Sequence, residues 1–187
     1  MVVYLISCGN QSNRIGQYEI DQNIFKLKQT VEQGFDAIVF TSDLKVAMDS
    51  CNVFCENLVT KKEYIIDSNL REINFGKWEG LTWDDVYLLY PEDLSKFSKN
   101  WIVNSPTMGE NFSDVIRRIK PFLDKVKEYR ENVLVFSHPS AIRAILCCVL
   151  QIPLERAYSI RIDYGNVYSL EYNNDWEILM SNSPIFM

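Results

Sequence analysis

Apolar residues in this chain fall into short unbroken runs that alternate with helix-spaced stripes. Val2–Ile6 is a continuous, largely β-branched run, the pattern of a strand covered on both faces. Asp21 is placed to cap a helix carrying Ile24, Leu27 and Val31 on one face and stopped by Gly34. Ala37-Ile38-Val39-Phe40 reads as a second buried strand. Ser42 then caps a helix with Leu44, Ala47, Met48, Cys51 and Cys55 at helical spacing. Tyr64-Ile65-Ile66 is a short third strand.

Residues 70–112 are less regular and contain Gly76, Gly80, Pro91, Pro106 and Gly109. They predict a helical excursion, with short helices near 82–89 and 93–100. Trp78, Trp83 and Trp101 lie here, either as a pocket roof or as a small local core. Ser113 opens a long helix whose stripe is Val115, Ile116, Ile119, Phe122, Leu123 and Val126, with Pro121 expected to kink it. Val133–Phe136 is the next strand. Ser137-His138-Pro139-Ser140 turns it into an apolar helix over Ala141–Leu150, and Pro139 suits the first helical turn. Val167–Tyr172 and Trp176–Leu179 close the chain as a hairpin turned by Asn173-Asn174-Asp175.

This alternation of strand and helix predicts the α/β class: three layers, α/β/α, around a mostly parallel sheet. The 187 residues fit one domain spanning 1–187, with the excursion inserted in it. Ligands of such sheets bind beyond the carboxyl ends of the strands.

Charge narrows the partners. Nineteen basic and twenty-five acidic side chains give a net charge of −6. Nucleic acid and anionic membrane both demand an excess of Lys and Arg, so neither is expected. A small anionic metabolite needs only a local basic pocket and stays open. Five cysteines, Cys8, Cys51, Cys55, Cys147 and Cys148, form no CxxC motif and no disulfide framework, and the four beyond Cys8 lie on apolar helix patterns as packing residues. One histidine and scattered cysteines give no metal-ligand spacing, and no cofactor motif is present. The apolar start is too short for a signal segment and Ala144–Leu150 too short to span a bilayer, so the cytoplasm is the expected location. Oligomeric state is not readable from these features.

Two strand ends carry the candidate chemistry. The first strand runs into Ser7-Cys8-Gly9-Asn10, and the 133–136 strand runs into Ser137-His138-Pro139-Ser140. Each places a reactive side chain where a doubly wound sheet holds its ligand. His138, the single histidine, also precedes a helix N-terminus, which favours an anion.

Several segments, in order, resemble the histidine phosphatase (phosphoglycerate mutase-like) superfamily, in particular its ribazole-phosphatase-like branch. Leu70-Arg71-Glu72-Ile73-Asn74-Phe75-Gly76-Lys77-Trp78-Glu79-Gly80 is similar to that family's Leu-x-Glu-x-x-Phe-Gly-x-Trp-Glu-Gly segment. Thr41–Ala47, Pro106–Asn111, Val135–His138 with Ile142-Arg143, and Gly165–Leu170 resemble further family segments. The resemblance implies a histidine-phosphatase-like fold. It also implies a mechanism in which a signature histidine is phosphorylated, two arginines and a second histidine hold the phosphoryl group, and a carboxyl protonates the leaving oxygen. Position by position, however, Ser7-Cys8-Gly9 stands where Arg-His-Gly is expected, and Val46 stands at the second arginine. Glu72 occupies the general-acid position and His138 the second-histidine position.

Three functions follow from this degenerate signature. The first is an enzyme acting on a small metabolite by hydrolysis, group transfer or elimination. Cys8 would be its nucleophile, His138 the base or anion binder, and Glu72 the acid or base. Ser7, Asn10, Arg14 and Ser137 would bind substrate, with Arg14 the first candidate to replace a lost cation ahead of Lys45, Arg71, Lys77 and Arg143. The second is an inactive pseudophosphatase that serves as a binding or accessory protein. The third is a weak phosphomonoesterase working through a cysteinyl phosphate. Glu79 is read as support for the turn between Gly76 and Gly80.

Overall fold

The computed structural model describes residues 1–19, 36–55 and 63–181. The helix expected around Ile24, Leu27 and Val31, with Asp21 and Gly34 at its ends, lies outside them. In chain order the elements begin with β1 (Val2–Ser7), the short hairpin strands β2 (Asn10–Gln11) and β3 (Tyr18–Glu19), β4 (Ala37–Thr41), α1 (Lys45–Cys55) and β5 (Ile65–Ile66). The excursion follows: 3-10 turns at Ser68–Leu70 and Gly76–Trp78, then α2 (Trp83–Leu89) and α3 (Pro91–Lys99). Next come α4 (Phe112–Val126), β6 (Asn132–Ser137), α5 (Pro139–Val149), a 3-10 turn at Leu154–Ser159, β7 (Val167–Asn173) and β8 (Asp175–Ser181).

Local chemistry sets the helix starts. Thr82 and Asp85 form a reciprocal capping box at α2, and Pro91 takes the first turn of α3, where its missing N–H is harmless. The long helix starts one residue earlier than expected. It opens at Phe112 with Asn111 as its cap, accepting from the Asp114 N–H at 3.0 Å while the Asp114 carboxylate accepts from the Asn111 N–H at 3.1 Å. An amide side chain with a carboxylate three residues on satisfies two orphan donors, which Ser113 could not do from inside the helix. Pro121 is accommodated within α4.

Six strands form one sheet in the order β5-β4-β6-β1-β7-β8. The pairs β5–β4, β4–β6 and β6–β1 are parallel, and the hairpin β7–β8 adds antiparallel to β1. Strand alternation divides the core in two. Val3, Leu5, Phe40, Val133 and Val135 meet α4 and α5 on one face. Tyr4, Ile6, Val39, Leu134 and Phe136 meet α1 on the other. The sheet is therefore covered on both sides, as the three-layer expectation requires.

Trp78 and Val86 of the excursion form a small separate core with Ile15, from between β2 and β3, and the excursion docks through tight backbone contact. Gly76 has φ +57, and a Cβ there would stand 2.3 Å from the Thr107 carbonyl oxygen. The 70–80 segment thus interlocks with residues 106–111 at the carboxyl end of the sheet.

Candidate functional site

Parallel pairing of β1 with β6 brings the two candidate strand ends side by side. Ser7 is in register with Ser137, and the Cys8 N–H donates to the Ser137 carbonyl at 2.7 Å. The side chains do not meet as a catalytic pair. Cys8 lies two residues beyond Ile6 and so shares its face, packing into the cluster under α1 with Cys51 and Ala47. Its thiol is 2% exposed and donates to the Ile6 carbonyl at 3.5 Å. Burial pushes its pKa up to about 12, against smaller lowering from Ser50 and Ser137. A thiol in that position is protonated at neutral pH and is a poor nucleophile.

His138 ends β6 and caps α5 with extended backbone, without a side-chain capping bond. It is fully buried, and neither ring nitrogen has a hydrogen-bond partner among the described residues. Burial first, and the charge of Arg118 second, hold its pKa down to about 3, with Asp43 opposing. The imidazole is therefore neutral throughout the physiological range. The Cys8–His138 pair expected from the sequence is not formed: the register aligns the backbones, but the thiol is drawn into the core and the imidazole bonds to nothing described.

Glu72 follows the 3-10 turn at Ser68–Leu70 and meets the first turn of α5. It is 7% exposed, and Oε1 accepts from the Ile73 N–H at 2.8 Å and from the Ser140 N–H, in the first turn of α5, at 3.1 Å. Burial raises its pKa, while Ser140, Ile73 and Arg143 pull the other way. The loop that carries it is held by Arg118. That guanidinium donates to the carbonyls of Asn69 at 2.6 Å and Glu72 at 3.1 Å, and pairs with Glu110 through two bonds of 3.0 and 3.2 Å.

The four expected substrate contacts fare differently. Ser7 is buried at the end of β1, its hydroxyl without a partner among the described residues. Ser137, its register partner and so on the same face, donates to the Leu70 carbonyl at 2.8 Å, tying β6 to the excursion. Arg14 is exposed and donates to the Gly80 carbonyl at 2.7 Å, so it braces the excursion rather than reaching the strand ends. The side chain of Asn10 lies outside what is described.

Tyr18, unnoticed in the sequence, is central. Its ring stands against His138, with centroids 6.1 Å apart, and against Tyr164 at 6.3 Å. Burial and the neighbouring Glu72 raise its hydroxyl pKa; burial, with Glu72 again, pushes Tyr164 up to about 12. A cavity of about 460 Å³ beside Lys45 and Val46 adjoins it, and two others reach Glu72 as well. One, about 220 Å³, is lined by Tyr18, Arg71, Glu72, Asn74 and Glu79 among others. The other, about 320 Å³, includes Tyr18, Glu72, Ser140 and Arg143 with a wall of aromatic rings. Arg71 is neutralised by a two-bond pair with Asp43, Nε to Oδ1 at 2.6 Å, which holds the Asp43 carboxyl below its usual range. No sequence motif marks Tyr18, Tyr164 or Arg118; only their contacts do.

Among the described residues, no group of three or more His, Cys, Asp or Glu is placed to hold a metal ion, and no helix is long and apolar enough to cross a membrane.

Comparison with known proteins gives a family. The histidine phosphatase superfamily (branch 1) matches residues 25–183. Phosphoserine phosphatase 1 of Hydrogenobacter thermophilus is 30% identical over 121 residues, covering 60% of this chain and 56% of that protein. Fructose-2,6-bisphosphatase of Saccharomyces cerevisiae is 27% identical over 149 residues, covering 78% of this chain and 31% of that protein. The chain thus spans only about half, or less, of the length of these relatives. Among solved structures, the alpha-ribazole phosphatase from Shigella flexneri superposes with a TM-score of 0.87 at 21% identity, covering 98% of this chain and 97% of that one. A mycobacterial glucosyl-3-phosphoglycerate phosphatase in complex with VO3 gives 0.80 at 19% identity, covering 97% and 98%.

Proposed function

The chain belongs to the histidine phosphatase superfamily, branch 1, and from that membership we propose that it binds a small phosphorylated metabolite beside Glu72 and Tyr18 without turnover through a phosphohistidine. One observation carries the reading. The single histidine is buried and neutral behind Tyr18, and the thiol beside it faces the core. Phosphoryl transfer depends on a positioned nucleophile and on cations that neutralise developing charge. Where the family resemblance puts the two clamp arginines, this chain has Ser7 and Val46, both buried. The names of the relatives, a phosphoserine phosphatase and a fructose-2,6-bisphosphatase, suggest small phosphate esters as the class to try.

The test measures thermal unfolding and phosphate release together, with phosphoserine, fructose 2,6-bisphosphate and p-nitrophenyl phosphate. The expected outcome is concentration-dependent stabilisation, about 2.7 kcal/mol at a hundredfold excess over Kd, with no release above the protein-free rate. Absence of stabilisation by every ester sinks the binding reading.

A second reading keeps Cys8 as nucleophile, with Glu72 as acid and a cysteinyl phosphate as intermediate. The observation in its favour is the β1–β6 register, which sets Ser7 beside Ser137 and lets the Cys8 N–H donate to the Ser137 carbonyl, so that Cys8 and His138 follow adjacent strand ends. Sustained phosphate release that disappears in Cys8→Ala would establish it and displace the first.

A further inference from the structure

The two cavities that reach Glu72 differ in their available charge. Arg71, in the smaller one, already has a carboxylate partner in Asp43. An incoming anion there would have to displace that pair. Arg143, in the larger one, donates only Nε, to the Ile160 carbonyl at 3.1 Å, and has no ion pair among the described residues, its charge facing the Glu72 carboxyl across the cavity without a bond. An arginine has five N–H donors in a rigid fork, so most of this one is unspent.

The wall around Arg143 is aromatic: Phe75, Trp83, Phe97, Trp101, Tyr158 and Tyr164 all line the 320 Å³ cavity. These rings come from the excursion, from the 154–159 turn and from the loop before β7. Several are paired edge-on, Phe75 with Trp83 at 6.4 Å and Trp101 with Tyr158 at 5.6 Å. Trp78 serves as local core and is fully buried. Trp83 and Tyr158, in contrast, leave large apolar surface in contact with solvent, 47% and 77% exposed. Apolar surface left open around a few polar groups is the composition of a ligand pocket rather than of a core.

We propose that this cavity is a recognition site for a planar-ring compound carrying an anionic group, with the ring against the aromatic wall and the anion on the free fork of Arg143. The inference rests on the small-ligand reading above and names the class of ligand. Phosphate or phosphonate suits the fork through two parallel charge-assisted bonds. Ring faces and edges on the wall reward a flat π-system over a polyol of equal size.

The experiment is isothermal titration of the whole chain with 1-naphthylphosphonate, whose C–P bond resists hydrolysis. Methylphosphonate supplies the anion without the ring, and 1-naphthol the ring without the anion. The expected result is that 1-naphthylphosphonate binds at least tenfold more tightly than either, and that Arg143→Met and Trp83→Leu each weaken it at least tenfold (about 1.4 kcal/mol). The comparison of the three probes needs no variant, so it decides the matter even if a substitution prevents folding. Equal binding of methylphosphonate and 1-naphthylphosphonate overturns ring recognition while leaving a phosphate-ester pocket in place. Undiminished affinity in folded Arg143→Met overturns the role of the fork. Stabilisation by phosphate esters without binding of 1-naphthylphosphonate sinks this inference alone, and silence from both sets of ligands sinks it together with the proposed function.

Discussion

Tyr18 covers His138: their ring centroids are 6.1 Å apart at an interplanar angle of 47°. A two-residue strand, β3, therefore sets an aromatic ring against the only histidine in the chain, whose charge state is governed by burial. Because the histidine is single, its carbon resonances report on it without assignment. The imidazole should stay neutral between pH 5 and 8, since its pKa is held down to about 3. In Tyr18→Ala, water reaches the ring, and an NMR titration should show the pKa rising towards the ordinary value of about 6.5. An unchanged titration in that variant would assign the depression to other groups.

The same depression ties stability to pH. The unfolded chain binds a proton at His138 below about pH 6.5, whereas the native chain does so only near pH 3. Between those values the unfolded state holds more protons, so stability is full above the upper value and declines on acidification through the window. Thermal midpoints should fall from pH 7 to pH 4, and His138→Asn should flatten part of that slope.

Glu72 works in the opposite sense. Its raised native pKa means that the folded chain favours the protonated carboxyl, and ionisation above the unfolded value weakens the fold. Glu72→Gln keeps an oxygen for the Ile73 and Ser140 N–H groups but carries no charge. Its midpoint should exceed that of the parent at pH 7–8, and the gain should vanish as the pH drops below about 4.5, read from paired melting curves.

Cys8 should behave as a core residue. Iodoacetamide labelling located by peptide mass spectrometry should leave Cys8 unmodified in the native chain at pH 7–8.5 and modify it fully in urea. His138→Ala should not change the native result, because the imidazole makes no hydrogen bond to the thiol. Rapid native labelling at neutral pH would revive the thiolate mechanism.

Arg118 supports the site through four bonds while only 16% of its side chain is exposed. Arg118→Met leaves the Asn69 and Glu72 carbonyls without this donor and Glu110 with the Asn74 N–H alone among the described donors. Urea denaturation should show a loss of about 1–3 kcal/mol, the scale for charge-assisted hydrogen bonds lost from a part-buried site.

Much of the architecture was written in local patterns. β-branched runs, helical stripes and caps specify elements through contacts within a few residues, and the alternation of those elements leaves a parallel sheet with helices on both faces as the economical packing. The ends of β1 and β6 stood out as candidate ligand ends from that topology, and Glu72 was singled out by the resemblance of its segment to the family's. What only the tertiary structure decided is where each side chain points and what it meets. Cys8 and Ile6 share a face by strand alternation, but that this face is closed by Ser50 and Cys51 depends on how α1 lies on the sheet. Ser137 spends its hydroxyl on Leu70, Arg14 its guanidinium on Gly80, and Tyr18 its ring on His138. Each of these contacts joins residues more than sixty positions apart, and no periodicity or motif encodes a partner at that distance. Charge state followed from the same contacts: burial, which exists only once the chain has folded, makes the thiol a weak acid and the imidazole a weak base.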